Sequence, residues 1–232
     1  MTNLISFGDH VWTVAYPLKL MGMKFGTRST IVALPSGGLV IISPIDFDDE
    51  LVAAIEELGP VDTIIAPNLL HYRYFNDACR RWPDARALVA PGLDEKIEPV
   101  ERAVELSEEG SIEEVLSWRV IDGAPKVNEH VFIDSRDDVL ILTDIAFHFV
   151  DHPQWWLRFM MRLNGVYGRF GPSRLLRSLI KDREAFAQSL AELLEHSWDA
   201  VVVAHGKPLA EGGRQAFIDG FSDYLPDEIG SD

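Results

Sequence analysis

Cysteine is almost absent. Cys79 is the only one, so no intramolecular disulfide and no cysteine-built zinc site can form. It lies in NDACRRW, a helical pattern in which a buried, inert thiol is expected. Long apolar runs are lacking as well: no stretch approaches the roughly 18 consecutive apolar residues of a membrane-spanning helix. MTNLISFGDH has no basic segment followed by a hydrophobic one, and a cytoplasmic protein is expected. No P-loop, G-x-G-x-x-G or G-x-S-x-G elbow occurs, which argues against an NTPase, a dinucleotide enzyme and an ordinary serine hydrolase. GGLV (37–40) reads as a turn.

Positive charge is scarce and uneven. The formal net charge of the 232 residues is -16, which repels nucleic acid and anionic membrane across most of the surface. Between Arg158 and Arg183, however, seven cations (Arg158, Arg162, Arg169, Arg174, Arg177, Lys181, Arg183) meet one acid, Asp182, giving +6 and leaving -22 to the rest.

What is abundant is core material: 47% of residues are hydrophobic, enough for one sizeable domain, expected to span 1–232. β-Branched runs bounded by Gly, Pro, Asn or Asp predict strands at 11–16, 29–34, 38–43, 62–66, 86–90, 130–134, 139–143 and 200–204. Helices are predicted after an Asp46 N-cap up to Gly59, over 74–82, within 154–163, through 173–196 and over 212–224. SRDD (135–138) predicts a hairpin turn, and the acid-rich stretch 94–114 a solvated excursion. GGLVIISPI, helix, VDTIIAPN is echoed by DDVLILTDI, helix, WDAVVVAHG. Two sheets packed face to face, with helices outside and a site where strand ends of both halves converge, follow from that repetition.

This layout resembles the metallo-β-lactamase fold, an α/β (α+β) αββα four-layer sandwich carrying one or two metals at one edge. After the strand matched by DTIIA that family has Thr-His-x-His-x-Asp-His; here Asn68, Leu70, Tyr72 and Arg73 stand where it has His, His, Asp and His. The next family ligand, a His near 125–128, is absent too, so the resemblance does not extend to a dinuclear zinc site. Asp144 in LTDI matches the family's metal-bridging Asp, and His205 in VVVAHGKP its last ligand His. PNLLHYRYF, TDIAFHF, RFGPSR, KDREAF and VVAHGKP together look most like a bacterial family of unknown function with this fold, so the resemblance implies a fold and a site but no reaction.

His71, Asp144 and His205 would form a 2-His-1-carboxylate set suited to one zinc or ferrous ion. The alternative is a metal-free polar cluster without a cofactor, in which the same three residues hydrogen-bond one another. His148 lies four residues after Asp144 and is a further candidate at the mouth. Asn68 reads as a cap for a helix beginning near Tyr72, with ligand contact as the other role. Tyr72 and Arg73 are also candidates for contact with a bound molecule. His10, His130, His152 and His196 read as structural or exposed.

HPQWWLRFMMRLNGVYGRFGPSRLLRSLIKDR (152–183) reads as a basic, aromatic helical insertion. On a helix Arg158 and Arg162 share one face and apolar residues cover the others. The helix is buried in its own domain, forms a homodimer interface or docks on a membrane surface through Trp and Arg, the last opposed by the -22 elsewhere. Tyr167, Arg169, Phe170 and Arg174 are expected to line a pocket mouth, with Gly165, Gly168 and Gly171 bending the chain toward a ligand and the guanidinium groups selecting an anion. Three functions remain open: binding of a small anionic molecule or partner at a degenerate site, hydrolysis with a single metal at His71, Asp144 and His205, or an inert-site dimeric scaffold.

Overall fold

The computed structural model describes residues 4–20, 23–152 and 154–226. The first half contributes β1 (Ile5–Ser6), β2 (Val11–Tyr16), the hairpin β3 (Lys19–Leu20) and β4 (Met23–Lys24), β5 (Thr27–Ala33), β6 (Leu39–Ile42), α1 (Asp49–Glu56), β7 (Val61–Ala66), α2 (Phe75–Arg81), β8 (Arg86–Val89) and β9 (Ala103–Glu105). The second contributes β10 (Glu109–Ile112), β11 (Leu116–Val120), β12 (His130–Asp134), β13 (Val139–Leu142), β14 (Phe147–His148), α3 (Trp155–Leu163), β15 (Phe170–Gly171), α4 (Arg174–Leu179), α5 (Arg183–Leu193), β16 (Ala200–Val203) and α6 (Gly213–Phe221).

Two sheets carry the fold, in the orders β1-β2-β5-β6-β7-β8-β9 and β10-β11-β12-β13-β16. Alternation along each strand sets the layers. Val40, Ile42, Ile65, Phe132, Ile141 and Val202 point between the sheets into one core. Their neighbours Ile41 and Ile64 point outward onto Leu51 and Ile55 of α1 and Phe75 of α2, while Leu140 and Val201 point onto Phe186 of α5 and Phe217 of α6. The result is the αββα sandwich that the repeated strand-helix-strand pattern implies. Replacing a side chain as enclosed as Phe75 or Phe217 by Ala removes roughly 3–5 kcal/mol.

In each half the repeated unit becomes a parallel pair, β6 with β7 and β13 with β16. Parallel strands end together, so Ser43, Asn68, Asp144 and His205 leave the sheets at one edge.

Several expectations shift. Asp48, not Asp46, caps α1, its carboxylate accepting from Leu51 N at 2.8 Å, while Asp46 accepts from the Tyr16 hydroxyl. The helical region 173–196 divides in two, because Ile180 turns extended and Asp182 caps a new helix through Ala185 N. The acid-rich stretch is only partly solvated: it supplies β9 and β10, whose ends bury Leu106 and Ile112 between the sheets among the exposed acids. Strand β11 was not legible as such, its LSWRV lacking a clean alternation. The 135–138 turn does join β12 to β13, and Asp137 within it clamps β2 by accepting from His10 N, Val11 N and His10 Nδ1.

A candidate single-metal centre at the strand ends

Three side chains converge where the two parallel pairs end. His71 Nε2 stands 3.2 Å from Asp144 Oδ2 and 3.1 Å from His205 Nε2, and His205 Nε2 stands 3.4 Å from Asp144 Oδ1. Among the described residues this is the one group of His, Cys, Asp or Glu side chains arranged to hold a metal ion. Asp144 and His205 are buried and His71 is nearly so.

Each donor is fixed from behind. His205 Nδ1 donates to the Gly26 carbonyl at 2.8 Å, which leaves the Nε2 lone pair of a neutral imidazole aimed at the cluster. His71 Nδ1 lies 2.7 Å from the Ser43 hydroxyl, which either donates to it or accepts from it according to the tautomer. Ser43 itself is buried in the left-handed region at φ 56, a conformation a non-glycine residue keeps only where its surroundings hold it. Phe147 stacks on the His205 ring at a centroid separation of 5.4 Å and Phe25 meets it edge-on at 4.8 Å.

Gly206 follows His205 at φ +103, and a β-carbon there would stand 2.1 Å from the His148 carbonyl oxygen. Only glycine lets β14 run so close behind the site. Arg28 reaches from β5 to the Val203 and Gly206 carbonyls at 2.7 and 3.0 Å and holds the same loop.

Asn68 corrects its reading as a helix cap. No helix starts at Tyr72, since α2 begins at Phe75; instead the Asn68 Oδ1 accepts from Leu70 N and His71 N, shaping the turn that carries His71. Its Nδ2 donates to Asp144 Oδ2 and Thr143 Oγ1, both at 2.8 Å, and to Glu129 Oε2 at 3.3 Å. Glu129, which sequence reasoning missed, is fully enclosed and accepts from the backbone N–H groups of Thr143, Asp144 and Ile145. An acid immediately before a buried strand, as in NEHVFID, was the available signal.

The electrostatics follow from this enclosure. Burial and the adjacent Asp144 carboxylate push Glu129 up to about 7, against the N–H donors that favour its charged form. Burial alone would raise Asp144, but the two imidazoles beside it hold its carboxyl well below the usual carboxylate range. Burial likewise opposes charge on His71, and the Asp144 carboxylate, with Glu129 behind it, outweighs burial and lifts the imidazole above its ordinary value.

A pocket of about 630 Å³ opens over the cluster. Its floor holds His71, Asp144 and His205, and its walls are largely apolar, formed by Phe25, Phe147, Leu175, Leu176 and Leu179. Tyr72 and Arg73 line it as well, Tyr72 being half-buried beneath Lys96 and Arg73 exposed at the rim without an ion pair among the described residues. The other expected contacts lie elsewhere. His148 points its Nδ1 at the Lys207 carbonyl at 2.6 Å and takes no part in the cluster. Arg169, just before β15, and Arg174, at the start of α4, are exposed and off the pocket, which α4 lines with its leucines instead. Phe170 is buried against Phe217 and Phe221, and Tyr167 lies under Arg162. Gly165 and Gly168 serve turns, and Gly171 lets β15 pass against Gly220 of α6.

Two imidazoles and one carboxylate fit one zinc or ferrous ion. Ligand atoms about 2.0–2.1 Å from a tetrahedral ion stand about 3.3 Å apart; His71 Nε2 is near that distance from His205 Nε2 and from Asp144 Oδ2, His205 Nε2 approaches the other oxygen, Oδ1, and one ligand atom from each residue lies within 4.8 Å of the others. A second ion does not fit: Asn68 turns an amide donor toward Asp144, and Leu70, Tyr72 and Arg73 offer no ligand that joins the group.

Residues 8–93 match the model of a domain of unknown function, DUF4336. No curated protein matches the sequence. Among solved structures, a metallo-β-lactamase from Pontibacter korlensis is similar at 12% identity and a TM-score of 0.65, covering 96% of this chain and 100% of that one. One from Hirschia baltica is 14% identical with a TM-score of 0.65, covering 97% and 99%. The metallo-β-lactamase FIM-1 from Pseudomonas aeruginosa, in a mono-zinc form, is 11% identical with a TM-score of 0.62, covering 93% and 91%. At these identities what is shared is the architecture, and the chain has the metallo-β-lactamase fold.

Proposed function

We propose that the chain holds one divalent metal ion on His71, Asp144 and His205 and hydrolyses a substrate whose apolar part fills the adjoining pocket. The observation that carries this reading is the convergence of three side chains already held by neighbours, the two imidazoles from their far nitrogens by Gly26 and Ser43 and the Asp144 carboxylate by the Asn68 amide. Hydrogen bonds to side chains buried this deeply fix their rotamers ahead of ligation. The mono-zinc state of the Pseudomonas aeruginosa relative supports one ion as a workable complement in this architecture.

When bound, such an ion supplies Lewis acidity and lowers the pKa of water to about 7. The chain's own residues do the rest. Leu175, Leu176, Leu179 and Phe147 take the apolar body of the substrate and exclude water from it. Arg73, the cation of the lining, meets an anionic group at the rim, the role expected of Arg169 and Arg174. Asn68 and Ser43 keep Asp144 and His71 in place as charge changes at the site.

A second reading, a metal-free site that binds an amphipathic anion without turning it over, is favoured by the direct contacts through which His71, Asp144 and His205 satisfy one another. Elemental analysis of untagged protein separates the two. Near-stoichiometric zinc or iron in the wild type, lost in both Asp144→Ala and His205→Ala, is expected and leads to screening of esters and amides with apolar acyl groups. Protein that stays metal-free after incubation with zinc or ferrous ion overturns the hydrolytic reading and leaves the binding one.

A further inference from the structure

Helix α3 is amphipathic with its apolar side outward. Leu157 and Met161 point inward onto Phe147, Phe149 and Val166. About 180° around the helix stand Trp155, Phe159 and Leu163, exposed by 71%, 54% and 48%. Met160 extends that face on one flank, and Arg158 and Arg162 border it on the other. A solvent-facing helix normally reverses this arrangement, so the face is built to be covered.

Charge selects the cover. From 152 to 183 Asp182 is the only acid, and it is spent on capping α5. Arg158, Arg162, Arg169, Arg174 and Lys181 have no ion pair among the described residues, and only Arg177 does, with Asp223. A twofold contact of α3 with α3 would set these cations against their own copies. A surface that is anionic outside and apolar beneath answers both the arginines and the tryptophan.

The pocket adds an independent observation. The α4 N-terminus is hydrogen-bonded to the α3 C-terminus through Arg174 N and the Asn164 carbonyl at 2.9 Å. The next residue, Leu175, is 63% exposed and lines the pocket, as does Leu70 at 51%. Apolar rim and apolar helix face therefore adjoin.

We infer that α3 docks the protein on an anionic lipid surface, with Trp155, Phe159 and Leu163 entering the headgroup boundary and Arg158 and Arg162 meeting lipid phosphates. No helix among the described residues is long and apolar enough to cross a membrane, so the contact is peripheral. Docking does not depend on whether the site holds metal; only the delivery of a lipid-soluble substrate to the pocket rests on the function proposed above.

Co-sedimentation with vesicles of phosphatidylcholine, with and without phosphatidylglycerol, tests this on the full chain. The wild type is expected to sediment with the anionic vesicles alone and to be released by salt. Neutralising both flanking cations, Arg158→Gln with Arg162→Gln, is expected to weaken partitioning about 25-fold, at roughly fivefold per charge. Trp155→Glu with Phe159→Glu should abolish it, and these two side chains are exposed enough to leave the fold intact; because Arg158 donates to the His152 carbonyl and Arg162 covers the Tyr167 ring, an unchanged thermal unfolding midpoint is required of the arginine pair. The inference is overturned if the wild type ignores anionic vesicles, if either double variant binds as the wild type does, or if sedimentation equilibrium shows a dimer that Trp155→Glu with Phe159→Glu dissociates. That last result would make a second copy the cover.

Discussion

Replacing Asn68 by Asp exchanges one amide nitrogen for oxygen and reverses the part the residue plays. The wild-type Nδ2 donates to Asp144 and Thr143 at 2.8 Å and to Glu129 at 3.3 Å, in a position with no solvent exposure. The substitution removes those donors, and each hydrogen bond to a charged acceptor is worth about 1.5–3 kcal/mol. It also brings a third carboxylate to two others, and at an effective dielectric of 20 a like-charge pair about 4 Å apart costs about 4 kcal/mol. The new carboxyl therefore takes up a proton in the folded state, its pKa rising above the unfolded value of about 3.9. A raised acid binds protons more tightly when folded, so the variant is least impaired below about pH 4 and loses stability as pH rises, by up to about 1.4 kcal/mol per unit. Expected deficits against the wild type are about 2 kcal/mol at acid pH and about 5 kcal/mol at pH 8. Urea unfolding followed by tryptophan fluorescence across that range measures both. A deficit below 1 kcal/mol, or one that does not grow with pH, would refute the assignment of Asn68 as the donor that joins Asp144 to Glu129.

His130 is enclosed at the start of β12, and burial lowers it to about 4 although its Nε2 donates to the Ser107 carbonyl. A depressed base binds its proton more readily when unfolded, so stability falls as pH drops from about 6.5 to about 4, by up to roughly 3 kcal/mol; His130→Leu should flatten that limb of the unfolding free energy, and an unchanged slope would count against it. Gly206→Ala forces a side chain into the left-handed region and against the His148 carbonyl. A loss above about 2 kcal/mol is expected, accompanied, under the single-metal function proposed above, by weaker metal uptake than in the wild type; normal stability would mean that the loop behind His205 yields freely.

Much of the fold was legible because two signals agreed. β-Branched runs gave the strands of both parallel pairs, and the repeated strand-helix-strand plan placed their ends together. Boundaries failed where chemistry outside the local pattern decided them: Asp48 outcompeted Asp46 as a cap by reaching Leu51 N, and Ile180 broke a helix whose apolar periodicity continues past it. The trio His71, Asp144 and His205 was readable as chemistry-bearing residues at strand ends. Its supports were not, since Ser43, Glu129 and the Gly26 carbonyl are separated in sequence from the groups they hold and belong to residue types that serve many roles. The arginines were misplaced for a simpler reason. Composition says that a segment is basic, but only the phase of α4 says that Leu175, Leu176 and Leu179 face the pocket.

The surroundings of Asp144 leave no place for the two-ion set that the resemblance has there. In the resemblance drawn from the sequence this residue corresponds to an aspartate that bridges two ions, so its carboxylate has to be free to meet both. Here Oδ1 faces His205, whereas Oδ2 is shared between His71 Nε2 and the amide of Asn68 at 2.8 Å. An amide N–H carries the partial positive charge that an ion would bring, without the ion's demand for further ligands. Once Asn68 occupies that side of the carboxylate, histidines at positions 70 and 73 would have nothing to coordinate, and Leu70 and Arg73 are free to serve the pocket rim. Asn68 thus ties the cluster of His71, Asp144 and His205 to the apolar, Arg73-edged pocket above it.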